Sequence, residues 1–353
     1  MRKGRVVIAM SGGVDSSVAA ALLLKEGYEV IGVMMRLWAQ GDGENRCCPP
    51  VAVEMARQVA EILGIPFYVL DFREPFYDKV VVPFIRGYAS GITPNPCLSC
   101  NRFIKFDLLL RRAMALEADY LATGHYARIV KANGQYKLLK GIDPAKDQSY
   151  VLYMLTQGQL ARLLFPLGWF TKEQVRGIAR ELGLPTAERE ESQELCFIAG
   201  NDYRDFLRLY IPEALRHGPI YDTKGRFLGT HKGLPLYTVG QRFGLGIPYG
   251  KRLYVISKDP VRNALIVGTA EEQGRSEILA GEVNFISGHF PEGPIEVRAR
   301  IRYRAPEQEA VINPEKQGRV KVTFKAPVVG AAPGQAVVFY DGDEVLGGGI
   351  IQS

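Results

Sequence analysis

No apolar run in this chain approaches the roughly 20 residues that a bilayer-spanning helix needs, and Met1-Arg2-Lys3-Gly4 leads straight into a short strand pattern where a signal peptide would have its apolar core. A helical membrane protein is therefore not expected, and the cytosol is the expected compartment. Cysteine is scarce: five residues, an odd number and too few for a disulfide scaffold. In a reducing compartment such thiols are packing residues, metal ligands or reactive groups. The four histidines are scattered and supply no pair to complete a zinc set. Internal repeats and low-complexity tracts are missing as well. What is there is an ordinary apolar share, 47%, in 353 residues, more than one hydrophobic core usually serves, so two or three domains are expected. The formal charge of +6 suits a polyanionic partner and simple solubility alike. Its distribution is more informative: from Asp205 to Arg275 there are 11 Lys and Arg against 6 Asp and Glu, whereas 276–353 carries −2.

The first 130 residues alternate short apolar runs with helical patterns. Arg5 to Met10, Glu29 to Met34, Pro66 to Phe72 and Tyr120 to Gly124 read as strands, with helices over 16–26, 51–63, 76–89 and 102–116 between and after them. This alternation is that of a parallel, doubly wound α/β sheet. The polar stretch from Gln40 to Pro50 reads as a mobile loop, Asn133-Gly134 as a hairpin turn, and Thr171 with Gln174 as a capping box for a helix ending near Gly183. After about Pro212 glycine and proline become frequent and the apolar runs shorten to strand length. Ile295 to Arg304, Arg319 to Phe324 and Gln335 to Tyr340 are expected strands of a C-terminal barrel or sandwich that begins near 275–280.

Two motifs carry chemistry. Ser11-Gly12-Gly13-Val14-Asp15-Ser16-Ser17 sits at a strand-to-helix junction, where free N–H groups and the helix dipole converge on an anion. Gly12 and Gly13 permit a tight turn, the serines add donors, and Asp15 is placed to hold Mg²⁺ or to position a ligand. No Walker lysine follows, which argues against ordinary γ-phosphate transfer. Cys97-Leu98-Ser99-Cys100 follows the stiff Thr93-Pro94-Asn95-Pro96 and precedes a helix expected from about Asn101; Arg102 and Lys105 beside it predict thiols that ionise readily. Read alone, this Cys-x-x-Cys fits a redox pair or half a zinc site, and Cys196, in Glu194-Leu195-Cys196-Phe197-Ile198, reads as a packing cysteine. Cys47-Cys48, adjacent in a polar loop, read as surface thiols.

Taken in order, the phosphate loop, Thr93-Pro94-Asn95-Pro96 leading to Cys100-Asn101, Thr123-Gly124-His125-Tyr126, Lys146-Asp147-Gln148-Ser149-Tyr150 and Cys196-Phe197-Ile198 resemble the motifs of the tRNA-specific 2-thiouridylases, within the N-type ATP pyrophosphatases. Gly240-Gln241-Arg242, Arg302-Tyr303-Arg304, Pro333-Gly334-Gln335 and Leu346 to Ile351 extend the resemblance over nearly the whole chain. It implies an ATP-pyrophosphatase domain over 1–204, a central tRNA-binding domain over 205–277 and an antiparallel β-barrel over 278–353. It also implies that Ala9, Met10, Ser11, Gly12, Gly13, Val14, Asp15, Ser16, Met35 and Gly124 bind ATP with Mg²⁺. Asn95, Pro96 and Cys97 would line the target base, and His125, Lys146, Asp147, Gln148, Arg302, Tyr303 and Gln335 would touch the anticodon arm of tRNA. The product would be 2-thiouridine at the wobble position, made through an adenylated uridine. The sulfur donor would be a cysteine desulfurase, a relay protein or inorganic sulfide, and the chain would act as a monomer.

Many family members have Asp where this chain has Cys97. The replacement makes a three-cysteine set, Cys97, Cys100 and Cys196, resembling that proposed for iron–sulfur-dependent tRNA thiolation enzymes, in which three thiolates hold a 4Fe-4S cluster with one iron open. In the other version Cys196 carries a persulfide and Cys100 is its partner, and Cys97 then has no task. An amidotransferase-type synthetase and a non-catalytic RNA-binding protein with a structural metal are the rival readings. Independently of family, Arg298, Arg300, Arg302 and Arg304 alternate with apolar residues, so on one strand they would form a basic stripe for a phosphate backbone.

Overall fold

The computed structural model describes residues 3–40, 50–189, 195–198 and 202–352. Cys47, Cys48 and nearly all of the expected 40–50 loop lie outside the described residues. Strands β1 (Arg5–Ala9), β2 (Glu29–Arg36), β3 (Phe67–Asp71) and β4 (Tyr120–Ala122) are those read from the apolar runs. With the two-residue β7 (Leu163–Leu164) they form one parallel sheet in the order β3-β2-β1-β4-β7. The strand order reverses between β1 and β4, and the crevice outside the carboxyl ends of those two strands is where open α/β sheets bind ligands. The residues that enter it are 10–13 after β1 and 123–125 after β4.

Helices α1 (Val14–Lys25) and α2 (Pro50–Leu63) lie on one side of the sheet, in a core built on Val18, Leu23, Ala56 and Val59. On the other side lie α3, residues 73–89, and α4, residues 96–115, each of which passes through a wider π-helical stretch, Tyr77–Val81 and Cys100–Leu109. Such stretches recur at functional sites. Helix α4 starts at Pro96 instead of near Asn101. The Asn95 side chain caps it by accepting the Cys97 N–H, and Pro96 takes the first helical position, where a missing N–H costs nothing. The expected capping box is present, Thr171 with Gln174, and opens α5 (Lys172–Glu181). Helix α6 (Tyr203–Tyr210) follows, its Phe206 buried against Phe84 and Phe197.

The hairpin expected around Asn133-Gly134 is β5 (Ala127–Ala132) and β6 (Gln135–Lys140), but it belongs to another sheet than its sequence neighbours. A four-stranded sheet, β10 (Tyr254–Asp259), β11 (Ala264–Gly268), β8 (Gly218–Asp222) and β9 (Phe227–His231) in that order, forms the middle of the molecule. The C-terminal part is a closed antiparallel barrel. Strands β12 (Arg275–Phe285), β15 (Arg319–Val328), β14 (Gln308–Glu315), β13 (Ile295–Arg300), β16 (Ala336–Asp341) and β17 (Glu344–Ile351) pair in sequence, and β12 closes on β17. The hairpin docks on it where β6 meets β17, and the apolar core of the first sheet runs on without a break into Ala336, Val338 and Tyr340 of the barrel.

The arginine stripe does not exist as expected. Strand β13 ends at Arg300, and Ile301 is buried where the strand was expected to continue. Arg300 is drawn into the seam between barrel and hairpin, where it meets Asp147 at 3.3 Å and Glu307 at 2.7 Å, while Lys140 reaches Glu307 at 2.8 Å. Removing one partner of such a buried pair costs about 3–5 kcal/mol, so these charges fasten two parts of the fold and are not offered to a nucleic acid. Arg298 and Arg302 remain exposed, the former also paired with Glu307.

Candidate active site

The loop after β1 is shaped by its own serines. Ser16 Oγ accepts the Ser11 N–H at 3.1 Å and donates to the Gly13 carbonyl at 3.1 Å, and Ser17 Oγ donates to the same carbonyl at 2.9 Å. Gly12 is required twice over: its φ is +71°, and a Cβ there would lie 2.3 Å from the Ala52 carbonyl oxygen at the start of α2. No side chain caps α1 at Gly13, so its first N–H groups point into the crevice, the arrangement that receives an anion. Met10 is held to β2 through Val33, and Ala9 and Met35 stand near the carboxyl ends of β1 and β2 beside the same crevice.

Asp15 does not stand ready for Mg²⁺. Its carboxylate accepts the Tyr126 hydroxyl at 2.7 Å and the Lys172 ammonium at 2.7 and 2.9 Å. Lys172 is the first residue of α5, is nearly buried, and has its own N–H on Asp143. It thus brings a positive charge to a loop that has no lysine of its own, and no local pattern around residue 172 announces it. Its only trace in the sequence is the missing Walker lysine.

Gly124 meets α1 so closely that a Cβ would lie 3.0 Å from Asp15 C and Ser16 N. The next residue, His125, is buried, with Nδ1 at 2.7 Å from Thr123 Oγ1 and Nε2 at 3.4 Å from Lys105 Nζ. Because an ammonium only donates, Nε2 is the acceptor and the proton sits on Nδ1. Burial and the Lys105 charge hold the imidazole neutral, well below the usual histidine range. Loop 123–125 therefore touches the phosphate-loop side through Gly124 and Lys105 of α4 through His125.

Lys105 faces the thiols. Cys97, Cys100 and Cys196 come from two segments about a hundred residues apart, yet each of Cys97 and Cys100 senses Cys196 electrostatically. Cys196 is held from behind: the Phe197 carbonyl accepts the Gln40 N–H at 3.2 Å, and its ring sits among Phe76, Phe84 and Phe206. None of the three is in a disulfide, and Cys97 reaches solvent. The expectation of easily ionised thiols is corrected at Cys100: burial pushes it up to about 12, Lys105 offsetting only part, while Arg102 turns to Glu282 of the barrel. In metal-free protein, alkylation of Cys100 by iodoacetamide at pH 8 is expected to be about tenfold or more slower than for free cysteine, and to rise as pH approaches this value. Peptide mass spectrometry of quenched samples checks it; free-cysteine rates at pH 8 would contradict it.

The donor set suits an iron–sulfur cluster, three soft thiols with no imidazole or carboxylate among them. No three His, Cys, Asp or Glu side chains among the described residues are arranged to hold a single metal ion. A cluster spreads its thiolates over several irons, so that arrangement is not the one it needs.

The barrel supplies the far wall. Tyr303 stands near Cys97 and Asp147, its phenol pushed up chiefly by burial. Gln335 Nε2 donates to the Thr93 carbonyl at 2.8 Å, and the Thr93 N–H donates to the Pro333 carbonyl, so the barrel grips the approach to Asn95 and Pro96. Several residues expected to touch RNA are thus occupied in building. Asp147 is buried and accepts from Gly141, Ser149 and Arg300. Gln148 pairs with the Tyr126 backbone through both its N–H and its side chain. His125, also buried, orients Lys105. Cys97, Arg302 and Tyr303 remain open to solvent at least in part, and Lys146 lies on the turn beside Asp143.

Three family profiles match: the tRNA methyl transferase HUP domain over residues 4–200, the tRNA methyl transferase PRC-barrel domain over 204–269 and the aminomethyltransferase β-barrel domain over 275–351. The chain is 53% identical to the tRNA-specific 2-thiouridylase MnmA of Moorella thermoacetica, over 98% of this chain and 99% of that one. It is 51% identical to that of Desulforamulus reducens, over 99% and 97%. Among solved structures, the U34-tRNA thiolase NcsA from Methanococcus maripaludis with its [4Fe-4S] cluster overlaps 60% of this chain and 67% of its own, at 19% identity and a TM-score of 0.36.

Proposed function

This chain belongs to the tRNA-specific 2-thiouridylase family, and we propose that it replaces the C2 oxygen of the wobble uridine of tRNA with sulfur at the expense of ATP. At the coarser level it is a tRNA sulfurtransferase. The observation that carries the finer reading is the loop 123–125, which touches α1 beside Asp15 on one side and, through Lys105, the cysteines on the other. Phosphate chemistry and sulfur chemistry thereby act on one base.

The C2 oxygen is a poor leaving group. Its attack on the α-phosphorus of ATP, bound by residues 9–16, Met35 and Gly124, forms an adenylated uridine and releases pyrophosphate to the N–H groups of α1, with Lys172 balancing charge. A sulfur nucleophile adds at C2, AMP departs with the oxygen, and a C=S group remains. Asn95, Pro96 and Cys97 border the base, and Tyr303 closes the recess. Cys97, Cys100 and Cys196 would hold a 4Fe-4S cluster, whose open iron supplies a place for hydrosulfide. In the alternative, a Cys196 persulfide attacks C2, and the Cys100 thiolate then breaks the bond between Cys196 and the transferred sulfur, leaving a Cys100–Cys196 disulfide that an external dithiol must reduce. Regions 1–204, 205–277 and 278–353 would serve as the catalytic domain, the central tRNA-binding domain and the barrel of an enzyme acting as a monomer on the anticodon arm.

The test combines ATP, tRNA and inorganic sulfide. Pyrophosphate release that depends on tRNA, with sulfur gained by the wobble uridine, is expected. Release that needs no RNA would favour a synthetase for small metabolites, and RNA binding with neither reaction would favour a non-catalytic binder.

A further inference from the structure

The segment 238–252 of the small sheet carries Arg242, Lys251 and Arg252 and no acidic residue, and all three cations are exposed. Within it Leu245, Ile247 and Tyr249 pack, at alternate positions, on the core of that sheet. Phe243, one step earlier in the same alternation, does not; it is 72% exposed, with the Arg242 guanidinium 4.1 Å from its ring centroid. The segment is tied in place there. The Gln241 side chain accepts the Thr238 N–H at 3.1 Å and donates to the Phe243 carbonyl at 2.8 Å, and the backbone of Gly240 and Gln241 bonds twice to Val255. An aromatic ring is thus presented to water by a braced loop, with one guanidinium against its face.

Its neighbours give it a direction. A Cβ on Gly240 would lie 3.3 Å from Gly330 Cα of the barrel, and one on Gly330 would lie 3.2 Å from the Arg302 guanidinium. The residue after Arg302 is Tyr303, beside Cys97. One seam therefore joins the Phe243 loop to the thiol recess.

We propose that Phe243, backed by Arg242, is a stacking platform for an unpaired base of the RNA loop whose uridine enters the recess, with Lys251 and Arg252 taking its phosphates. This rests on the RNA-thiolation reading above. Every base offers a π-face, and a lone exposed aromatic backed by a guanidinium, in a segment that has cations and no acidic residue of its own, matches a splayed single strand better than an apolar protein surface.

The probe is a fluorescent hairpin with the anticodon stem and loop, titrated at several salt concentrations. Phe243→Ala is expected to weaken binding about tenfold or more. Phe243→Trp restores it, and the new indole emission is quenched on binding. An abasic site at one loop position erases the difference between wild type and Phe243→Ala, and Arg242→Gln lowers the slope of log affinity against log salt by about one. If Phe243→Ala binds the hairpin and thiolates tRNA as wild type does, the platform is overturned while the enzyme reading stands. If wild type neither binds nor thiolates RNA, the enzyme reading itself fails.

Discussion

Cys100→Ser and Cys196→Ser are each expected to lower tRNA thiolation by about a thousandfold or more, because both versions of the chemistry need both sulfurs. Cys97→Ser separates the versions. If the three thiols hold a cluster, anaerobically purified wild type contains about four irons per chain, all three variants lose them, and Cys97→Ser is as inactive as the others. If Cys100 and Cys196 work as a persulfide pair, iron-free protein is active and Cys97→Ser keeps most of that activity. The physical state of the thiols makes the outcome sharp. Held up to about 12 by burial, the Cys100 thiol is neutral at physiological pH, whereas iron ligation and attack on a persulfide both need a thiolate. A cluster would supply the missing positive charge itself. In its absence Lys105 is the cation the described residues bring to both thiols, so Lys105→Met should slow the persulfide version and raise its optimum pH.

Elements set by local pattern were legible in the sequence. The helix opened by Thr171, the strands of the parallel sheet and the hairpin at Asn133-Gly134 stand where periodicity and turn chemistry put them, and the serine and glycine loop needs only its strand and helix to become an anion site. What depends on distant partners was not. The hairpin was visible, but its docking on β17 was not, because pairing partners lie about two hundred residues on. The period-2 arginines suggested a shared face, yet alternation says nothing of where a strand ends or of what lies above that face, and Asp147 and Glu307 lie above Arg300. The ionisation of Cys100 is set by distant partners as well. Neighbouring Arg102 and Lys105 can be read off the chain, whereas burial, the larger effect, comes from tertiary packing.

Lys172→Met is expected to lower kcat/KM for tRNA-dependent pyrophosphate release about 10²–10³-fold, the loss typical of removing one preorganised group aimed at developing charge. Hairpin affinity should stay unchanged. Pyrophosphate leaving the α-phosphorus gathers negative charge over a loop whose own contribution is N–H groups and hydroxyls, and whose one carboxylate, Asp15, would repel it if unpaired. Lys172 neutralises that carboxylate at 2.7 Å and is held by the capping box of α5 and by Asp143, so little reorganisation is needed when charge develops. Lys172→Arg keeps the charge in a larger, planar group and should retain an intermediate rate. Asp15→Asn keeps the shape, removes the negative charge beside the ammonium and should cost less than losing the lysine. Had the pair only a structural task, Lys172→Met and Asp15→Asn would lower the melting temperature together and leave the rate of pyrophosphate release in the folded protein intact. Comparing melting curves with rates measured well below the transition separates the two, since a charge acting on the departing pyrophosphate changes the rate at temperatures where every variant is fully folded.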